Sequence, residues 1–291
     1  MCARAKQTRR IGWIGLGTMG LPMALRLTDK SGCAVYGCDI VPAAMDAFAS
    51  MGGILEPDSA ALLENSDVVF LSLPGNALVQ ETLTDAVRRC RRGTVVVDTS
   101  SSLPAVIQSC AAQAAARGVE LIDCPVSGGA EAAAEGRLSA MCGGSETALA
   151  RVSPLLACFA ARVTHMGPLG SGYAAKLINN LIVGGEITLI AEALGLARKA
   201  GLDMARLLEA LSGGAASSPV LSLKGGRMIS GDYTPSSRVL IHLKDQRNAQ
   251  ELARALGAAI PACDLSTALL GQLADMGRGG EDAAAVIDLF A

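Results

Sequence analysis

Two apolar runs, Val68-Val69-Phe70-Leu71-Ser72-Leu73 and Thr94-Val95-Val96-Val97-Asp98, constrain this chain more than anything else in it. A strand with one wet face alternates apolar and polar residues. These runs leave no polar face, so they call for strands covered on both sides. The first is stopped by Pro74 and Gly75. Other strand-like runs occur at 11–14, 33–38 and 120–123, with further strands expected at 137–142 and 162–165. Helical stretches, the first at 21–27, lie between them. Strands alternating with helices specify an α/β fold built on a doubly wound parallel sheet. Beyond Gly167 the character changes. Helical periodicity is sustained over 173–200, long enough for a helix that crosses between domains, and helices are expected at 204–211, 240–256, 261–276 and 282–290. The expected organisation is an α/β domain over 1–167 joined by a long helix to an all-α domain over 168–291.

Composition removes several function classes. The formal net charge is -2 over 291 residues, so no global basic field exists to hold nucleic acid or an anionic membrane. The cluster Arg88, Arg89, Arg91 and Arg92 is the local exception. It precedes Gly93, where a helix would end, and cations there complement the helix dipole. Nine cysteines without a C-x-x-C pair point to reduced thiols and a cytoplasmic protein. His165 and His242 are the only histidines and lack partners at zinc spacing, so no metal is expected. No apolar run is read as approaching the ~20 residues that span a bilayer, and the basic start lacks a signal-like apolar stretch.

Gly15-Leu16-Gly17-Thr18-Met19-Gly20 follows the first strand and opens a helix, and Asp39 closes the second strand. In that context the glycines allow a tight turn, close approach to a pyrophosphate and tight helix–sheet contact, as in a Rossmann dinucleotide site. The helix N-terminus attracts phosphate. A carboxylate at Asp39 accepts hydrogen bonds from ribose hydroxyls and repels a 2′-phosphate. No basic residue occurs between Ser31 and Val87, so NAD is expected ahead of NADP.

Three later stretches carry chemistry. Ser127, Gly128 and Gly129 follow a strand end, where ligands bind in such sheets, and offer a hydroxyl and open N–H groups to a carboxylate, or form an ordinary turn. Lys176 and Asn180 lie four residues apart on the long helix, hence on one face. Lys176 is either a snorkelling surface residue or an ammonium drawn into a cleft. In the second case its proton can be traded with the oxygen of a carbonyl being reduced, while Asn180 orients that oxygen. Lys244, in Leu240-Ile241-His242-Leu243-Lys244-Asp245-Gln246, either closes over the cofactor or is a solvated helix residue.

Taken together, these stretches resemble the β-hydroxyacid dehydrogenase family, which includes 3-hydroxyisobutyrate dehydrogenase and tartronate semialdehyde reductase. The resemblance runs from Ile11 to Phe290 through the glycine loop with Pro22, Met23 and Ala24, through 123–129 with Gly136 to Met141, Gly143 and Gly144, and through 170–180. It implies Lys176 as the catalytic residue with Asn180 as partner. It also implies Ser127, Gly128 and Gly129 as the acid-binding loop, and cofactor contacts from Leu73, Pro74, Ser101 and Lys244. A small anionic hydroxy or oxo acid is the implied substrate, and a homodimer or homotetramer built through the helical domain is the implied assembly.

Some positions depart from the family pattern. Gln246 and Arg247 follow Lys244-Asp245 where the family has leucine, and Leu78 stands where a polar residue is common. Residues 213–218 lack an aromatic found in some members. Arg238 and His242 would suit a more anionic substrate, such as a phosphonate, sulfonate or second carboxylate. The stretch 231–235 resembles members acting on sugar acids such as threonate. The related imine reductases usually replace the lysine. A non-catalytic NAD-binding module is the alternative of a different class, and it would have no need to keep Lys176 and Asn180 on one helix face.

Overall fold

Within residues 9–290, which the computed structural model describes, β1 (Arg10–Ile14), α1 (Gly20–Lys30), β2 (Ala34–Cys38), α2 (Pro42–Ser50) and β3 (Ile54–Leu55) come first. Then follow α3 (Ser59–Asn65), β4 (Val68–Leu71), α4 (Asn76–Arg89), β5 (Val95–Asp98), α5 (Pro104–Ser109), α6 (Ala111–Arg117) and β6 (Glu120–Asp123). β7 (Val126–Ser127), α7 (Gly129–Glu135), β8 (Leu138–Gly144), α8 (Glu146–Leu156), β9 (Ala160–Gly167) and α9 (Ser171–Lys199) continue the chain. It ends in α10 (Met204–Ser212), α11 (Pro219–Ser230), α12 (Val239–Leu256), α13 (Pro261–Asp275) and a 3-10 helix, Ala283–Phe290. Cys2 and most of the basic start lie outside the described residues.

The strands form one sheet in the order β3-β2-β1-β4-β5-β6-β8-β7, with β9 beside β8. Every pairing from β3 to β6 is parallel. The order reverses at β1, between β2 and β4, which is where a doubly wound sheet opens a crevice. The double burial of the apolar runs is direct. All four residues of β4 are buried; Val68 and Phe70 join a core with Trp13, Met23 and Phe159, whereas Val69 and Leu71 join another with Leu62, Val79 and Leu83. The run at 68–73 yields a shorter strand than expected: Ser72 N still donates to Ile14 O of β1 at 2.9 Å, but Leu73 N turns to Ser100 Oγ in the loop after β5.

The far end of the sheet differs from a wholly parallel arrangement: β8 runs antiparallel to β6 and β7. The connection through α7 is shorter than the crossover of about a dozen residues that a parallel neighbour requires. β6 and β7 are one strand interrupted at Cys124 and Pro125, since Asp123 faces Gly143 and Val126 faces Ala140 in a single register. Pro125 has no N–H to give, but its carbonyl still accepts from Met141 N at 3.0 Å.

By its internal contacts the chain divides into one unit that ends at Lys176 and another that begins at Leu177, so the division falls inside α9. In the second unit Ile187, Ala191 and Leu194 of α9 join Leu243, Leu270, Leu273, Val286 and Ile287 in an apolar core. Contrary to the sequence reading, α9 is long and apolar enough to cross a bilayer by length and composition, with a mean hydropathy of 1.4 over an 18-residue window. The apolarity that sets that value includes the residues just named, which serve this core. α11 and the short strands β3 and β7 were not foreseen, and the final segment is 3-10 rather than α-helical.

Two of the four clustered arginines, Arg88 and Arg89, stand in the last turn of α4. α4 ends at Arg89, and Arg88 and Arg89 both pair with Asp85 of the preceding turn. The eight described cysteines are unpaired, and among the described residues no three His, Cys, Asp or Glu side chains converge as a metal site would require.

Candidate active site

The parallel topology brings the sequence-predicted cofactor residues to one edge. Gly15 to Gly20 follow β1, Asp39 follows β2, Leu73 and Pro74 follow β4, and Ser101 follows β5, all at the carboxyl ends of adjacent strands. Gly15 has φ +96°, and a Cβ there would lie 2.2 Å from the Ser72 carbonyl oxygen. A Cβ on Gly20 would lie 1.9 Å from Gly15 O, so the turn closes only with glycine at both ends. Beside Gly17, by contrast, a Cβ would meet nothing within 4 Å. That open space, together with an N-terminus of α1 that has no side-chain cap and no acid in its first turn, fits a pyrophosphate.

Asp39 is drawn into the same turn. Its Oδ2 accepts from Leu16 N at 2.6 Å and its Oδ1 from Val41 N at 2.8 Å. The carboxylate therefore has a fixed orientation and spare lone pairs for ribose hydroxyls. The loops after β4 and β5 are stitched together: Leu73 N donates to Ser100 Oγ at 2.8 Å, and Ser102 Oγ donates to Asn76 Oδ1 at 3.0 Å. Pro74 and Ser101 are carried by these joined loops.

Ser127 ends β7, and Gly128 and Gly129 lead into α7 with φ of +137° and +78°. The interrupted strand thus extends the carboxyl edge past β6 and presents the expected acid-binding loop there.

Lys176 stands on α9, whose start is held by a buried polar cluster that the sequence reading did not foresee. Asp123, the last residue of β6, accepts from Gly170 N through Oδ1 and from Tyr173 N through Oδ2, both at 2.7 Å. It caps the helix from a strand instead of from the preceding loop. Its register partner Asp98 accepts from Ser100 N at 2.8 Å and from the Tyr173 hydroxyl in a short hydrogen bond. Asp98, Asp123 and Tyr173 are fully buried. Burial pushes both carboxyls up, against the hydrogen bonds that hold them down. Burial, and then the charge of Asp98, raise the Tyr173 hydroxyl well above its ordinary value. A signal was available: each acid directly follows buried apolar residues at a strand end, where a charge has to find partners.

Lys176 and Asn180 are both only 8% exposed. Lys176 is therefore no solvated surface residue. In the second unit Asn180 Nδ2 donates to Asp245 Oδ2 at 2.8 Å, while its Oδ1 accepts from Asn179 Nδ2 at 3.0 Å. A carboxylate can only accept here, so the orientation of the Asn180 amide is determined. Lys244 Nζ lies 3.1 Å from Asp245 Oδ1. Asp245, to which the sequence reading gave no role, joins two residues that it did single out.

An α/β domain with an open glycine turn at its switch point, followed by a helical unit entered through a buried lysine, defines a dinucleotide-dependent oxidoreductase. Comparison with known proteins agrees. Residues 10–167 match the model described as the NAD binding domain of 6-phosphogluconate dehydrogenase. Residues 170–290 match that described as NAD-binding of NADP-dependent 3-hydroxyisobutyrate dehydrogenase. The chain is 36% identical over 255 residues to 2-hydroxy-3-oxopropionate reductase of Escherichia coli, covering 87% of each. It is 33% identical to 2-(hydroxymethyl)glutarate dehydrogenase of Eubacterium barkeri, covering 97% of this chain and 94% of that one. A structure of 3-hydroxyisobutyrate dehydrogenase from Mycobacterium tuberculosis with L-serine superposes with a TM-score of 0.89 at 29% identity, covering 97% of this chain and 99% of that one. The chain belongs to the β-hydroxyacid dehydrogenase family and is an NAD(P)-dependent oxidoreductase.

Proposed function

We propose that this enzyme transfers hydride between NAD and a small 3-hydroxy acid, or its semialdehyde or oxo form, with Lys176 as general acid and base. The observation that carries the reading is the burial of Lys176 one helical turn before Asn180, on a helix whose first turn is clamped to the sheet by Asp123. The bound nicotinamide supplies or takes the hydride. In reduction Lys176 Nζ gives its proton to the carbonyl oxygen, and in oxidation it takes the proton of the hydroxyl. The Asn180 amide orients that oxygen, its geometry set by Asp245. Ser127, Gly128 and Gly129 hold the acid group. Gly15 to Gly20 cradle the pyrophosphate, Asp39 binds the ribose, and Leu73, Pro74, Ser101 and Lys244 line the rest of the cofactor site.

A more anionic substrate, such as a phosphonate, sulfonate or sugar acid, is the second reading. Arg238 and His242 support it, one turn apart at the start of α12. Assembly as a homodimer or homotetramer is supported by an exposed apolar stripe on α9, formed by Ile178, Ile182, Leu189 and Leu196. Light scattering on the purified chain tests the assembly.

Turnover of NADH and NADPH with a panel of 3-oxo acids, semialdehydes and their phosphonate and sulfonate analogues tests the substrate class. Lys176→Ala should bind NADH as the wild type does and lose roughly 10²–10⁴-fold in kcat. Wild-type turnover in that variant would remove Lys176 from the mechanism. Absence of turnover with the whole panel in the wild type would remove this substrate class.

A further inference from the structure

In the second unit, where α9 meets α12 and α13, a polar seam runs through an otherwise apolar bundle. Gln246 of α12 is fully buried. Its Nε2 donates to the main-chain carbonyl of Asn180 at 2.7 Å, and its Oε1 accepts from Cys263 Sγ at 2.9 Å. Gly184 leaves the room, because a Cβ there would lie 2.2 Å from Gln246 Nε2. Ser266, one turn beyond Cys263 on α13, is also fully buried and donates from Oγ to Gly184 O at 3.1 Å.

Burying a primary amide is costly unless both of its ends are bonded, and an apolar side chain of similar size would need no partners at all. The seam therefore requires four matched choices: an amide at 246, a small side-chain donor at 263, a hydroxyl at 266 and no side chain at 184. Its contact on α9 is the carbonyl of Asn180, the residue whose side chain Asp245 holds. Consecutive residues of α12 thus grip the amide and the main chain of one residue. The grip also lies against a soft place. Gly184 and Gly185 sit in the interior of α9, where each glycine costs about 1 kcal/mol of helix stability relative to alanine. An amide bonded across that turn splints it.

We propose that Gln246 is a positioning residue for the reaction: it fixes the main chain of Asn180 so that the side chain held by Asp245 meets the reacting oxygen in one orientation. The inference rests on the reading of Asn180 as the partner of Lys176. Gln246 touches neither substrate nor cofactor in this account and acts through Asn180. The Cys263 thiol is a structural donor to its carbonyl, and Cys263→Ser should preserve that bond.

The test compares wild type, Gln246→Leu, Cys263→Ser and Asn180→Ala as full-length protein, with kcat referred to folded molecules, substrate KM, the NADH dissociation constant, Tm and the side-chain amide NMR signal of Asn180. Gln246→Leu should lower kcat roughly 10- to 100-fold, as misplacement of an orienting group does, with NADH binding unchanged and the Asn180 amide signal shifted. Cys263→Ser should stay within about twofold of wild type. If Gln246→Leu does not fold, Gln246→Met keeps the volume and removes the same bonds. A purely structural role would lower Tm and leave kcat per folded molecule at the wild-type value, and that result overturns the proposal. An unmoved Asn180 signal in Gln246→Leu overturns it as well, whatever Asn180 contributes to kcat. Wild-type kcat in Asn180→Ala would instead refute the catalytic reading of Asn180, and the catalytic consequence proposed for Gln246 with it.

Discussion

At the scale of single residues, Asp39 is the residue proposed to read the dinucleotide at the glycine turn. Its two oxygens are fixed by main-chain N–H groups of Leu16 and Val41, so the carboxylate cannot swing away from an incoming 2′-phosphate. The next residue, Ile40, is 96% exposed and brings no cation to the turn. Asp39→Asn removes the charge and keeps one acceptor. It should raise KM for NAD by about 10-fold, the loss expected of a charge-assisted hydrogen bond, and should improve NADP relative to NAD. An unchanged ratio of kcat/KM for the two cofactors would show that Asp39 does not read the ribose. Asp39 was legible because nineteen residues and a strand end separate it from the loop. Asp98 and Tyr173 were not, because their meaning lies in a contact 75 residues long in sequence.

At the scale of elements, two buried charge clusters fix helices from a distance. Asp123 holds the start of α9. In the second unit Lys224 of α11 donates to Asp282 at 2.6 Å, with both side chains buried, and Asp282 also accepts from Ser236, Ser237 and Ala284. Burial alone would push the Asp282 carboxyl up, but Lys224 and these hydrogen bonds outweigh it and hold the group well below the carboxylate range. Its folded value is thus lower than its unfolded value of about 3.9, so the stabilisation is complete above about pH 4 and is lost as pH falls through the folded value. Lys224→Met should leave Asp282 with Arg227, 3.3 Å from Oδ2, as its remaining cation, and cost up to about 3 kcal/mol in urea unfolding at neutral pH, less than the loss of a sole partner. The variant should also lose less stability than wild type on acidification below pH 4. An equal loss would place the acid sensitivity elsewhere. α11 itself escaped the sequence reading because Lys224 and the glycine pair at 225 and 226 break its apolar stripe; the pairing of Lys224 with Asp282 restores what the pattern lacks.

At the scale of the whole molecule, Trp13 is the only tryptophan, fully buried, stacked on Phe70 at 5.1 Å and edge-on to Phe159 at 5.9 Å. It reports on the sheet domain alone. If the glycine turn that follows its strand holds the dinucleotide, NAD at about 100 times its dissociation constant should stabilise the Trp13-monitored transition by about 2.7 kcal/mol. No shift with NAD or NADP would mean that the folded first unit does not bind dinucleotide.

The sequence by itself determined the sheet and the cofactor turn. Doubly buried strands need unbroken apolar runs, and a pyrophosphate turn needs glycine at fixed spacing, so both leave local marks. The tertiary structure alone decided how the helix that carries Lys176 is held. Asp123, Asp98, Asp245 and Gln246 became meaningful only when strands and helices far apart in sequence met, because a buried polar group is accounted for by its partners in space and not by its neighbours along the chain. The antiparallel turn of β8 belongs with them. Composition does not reveal which way a connection sends the next strand; the pairing of β8 with β6 and β7 does.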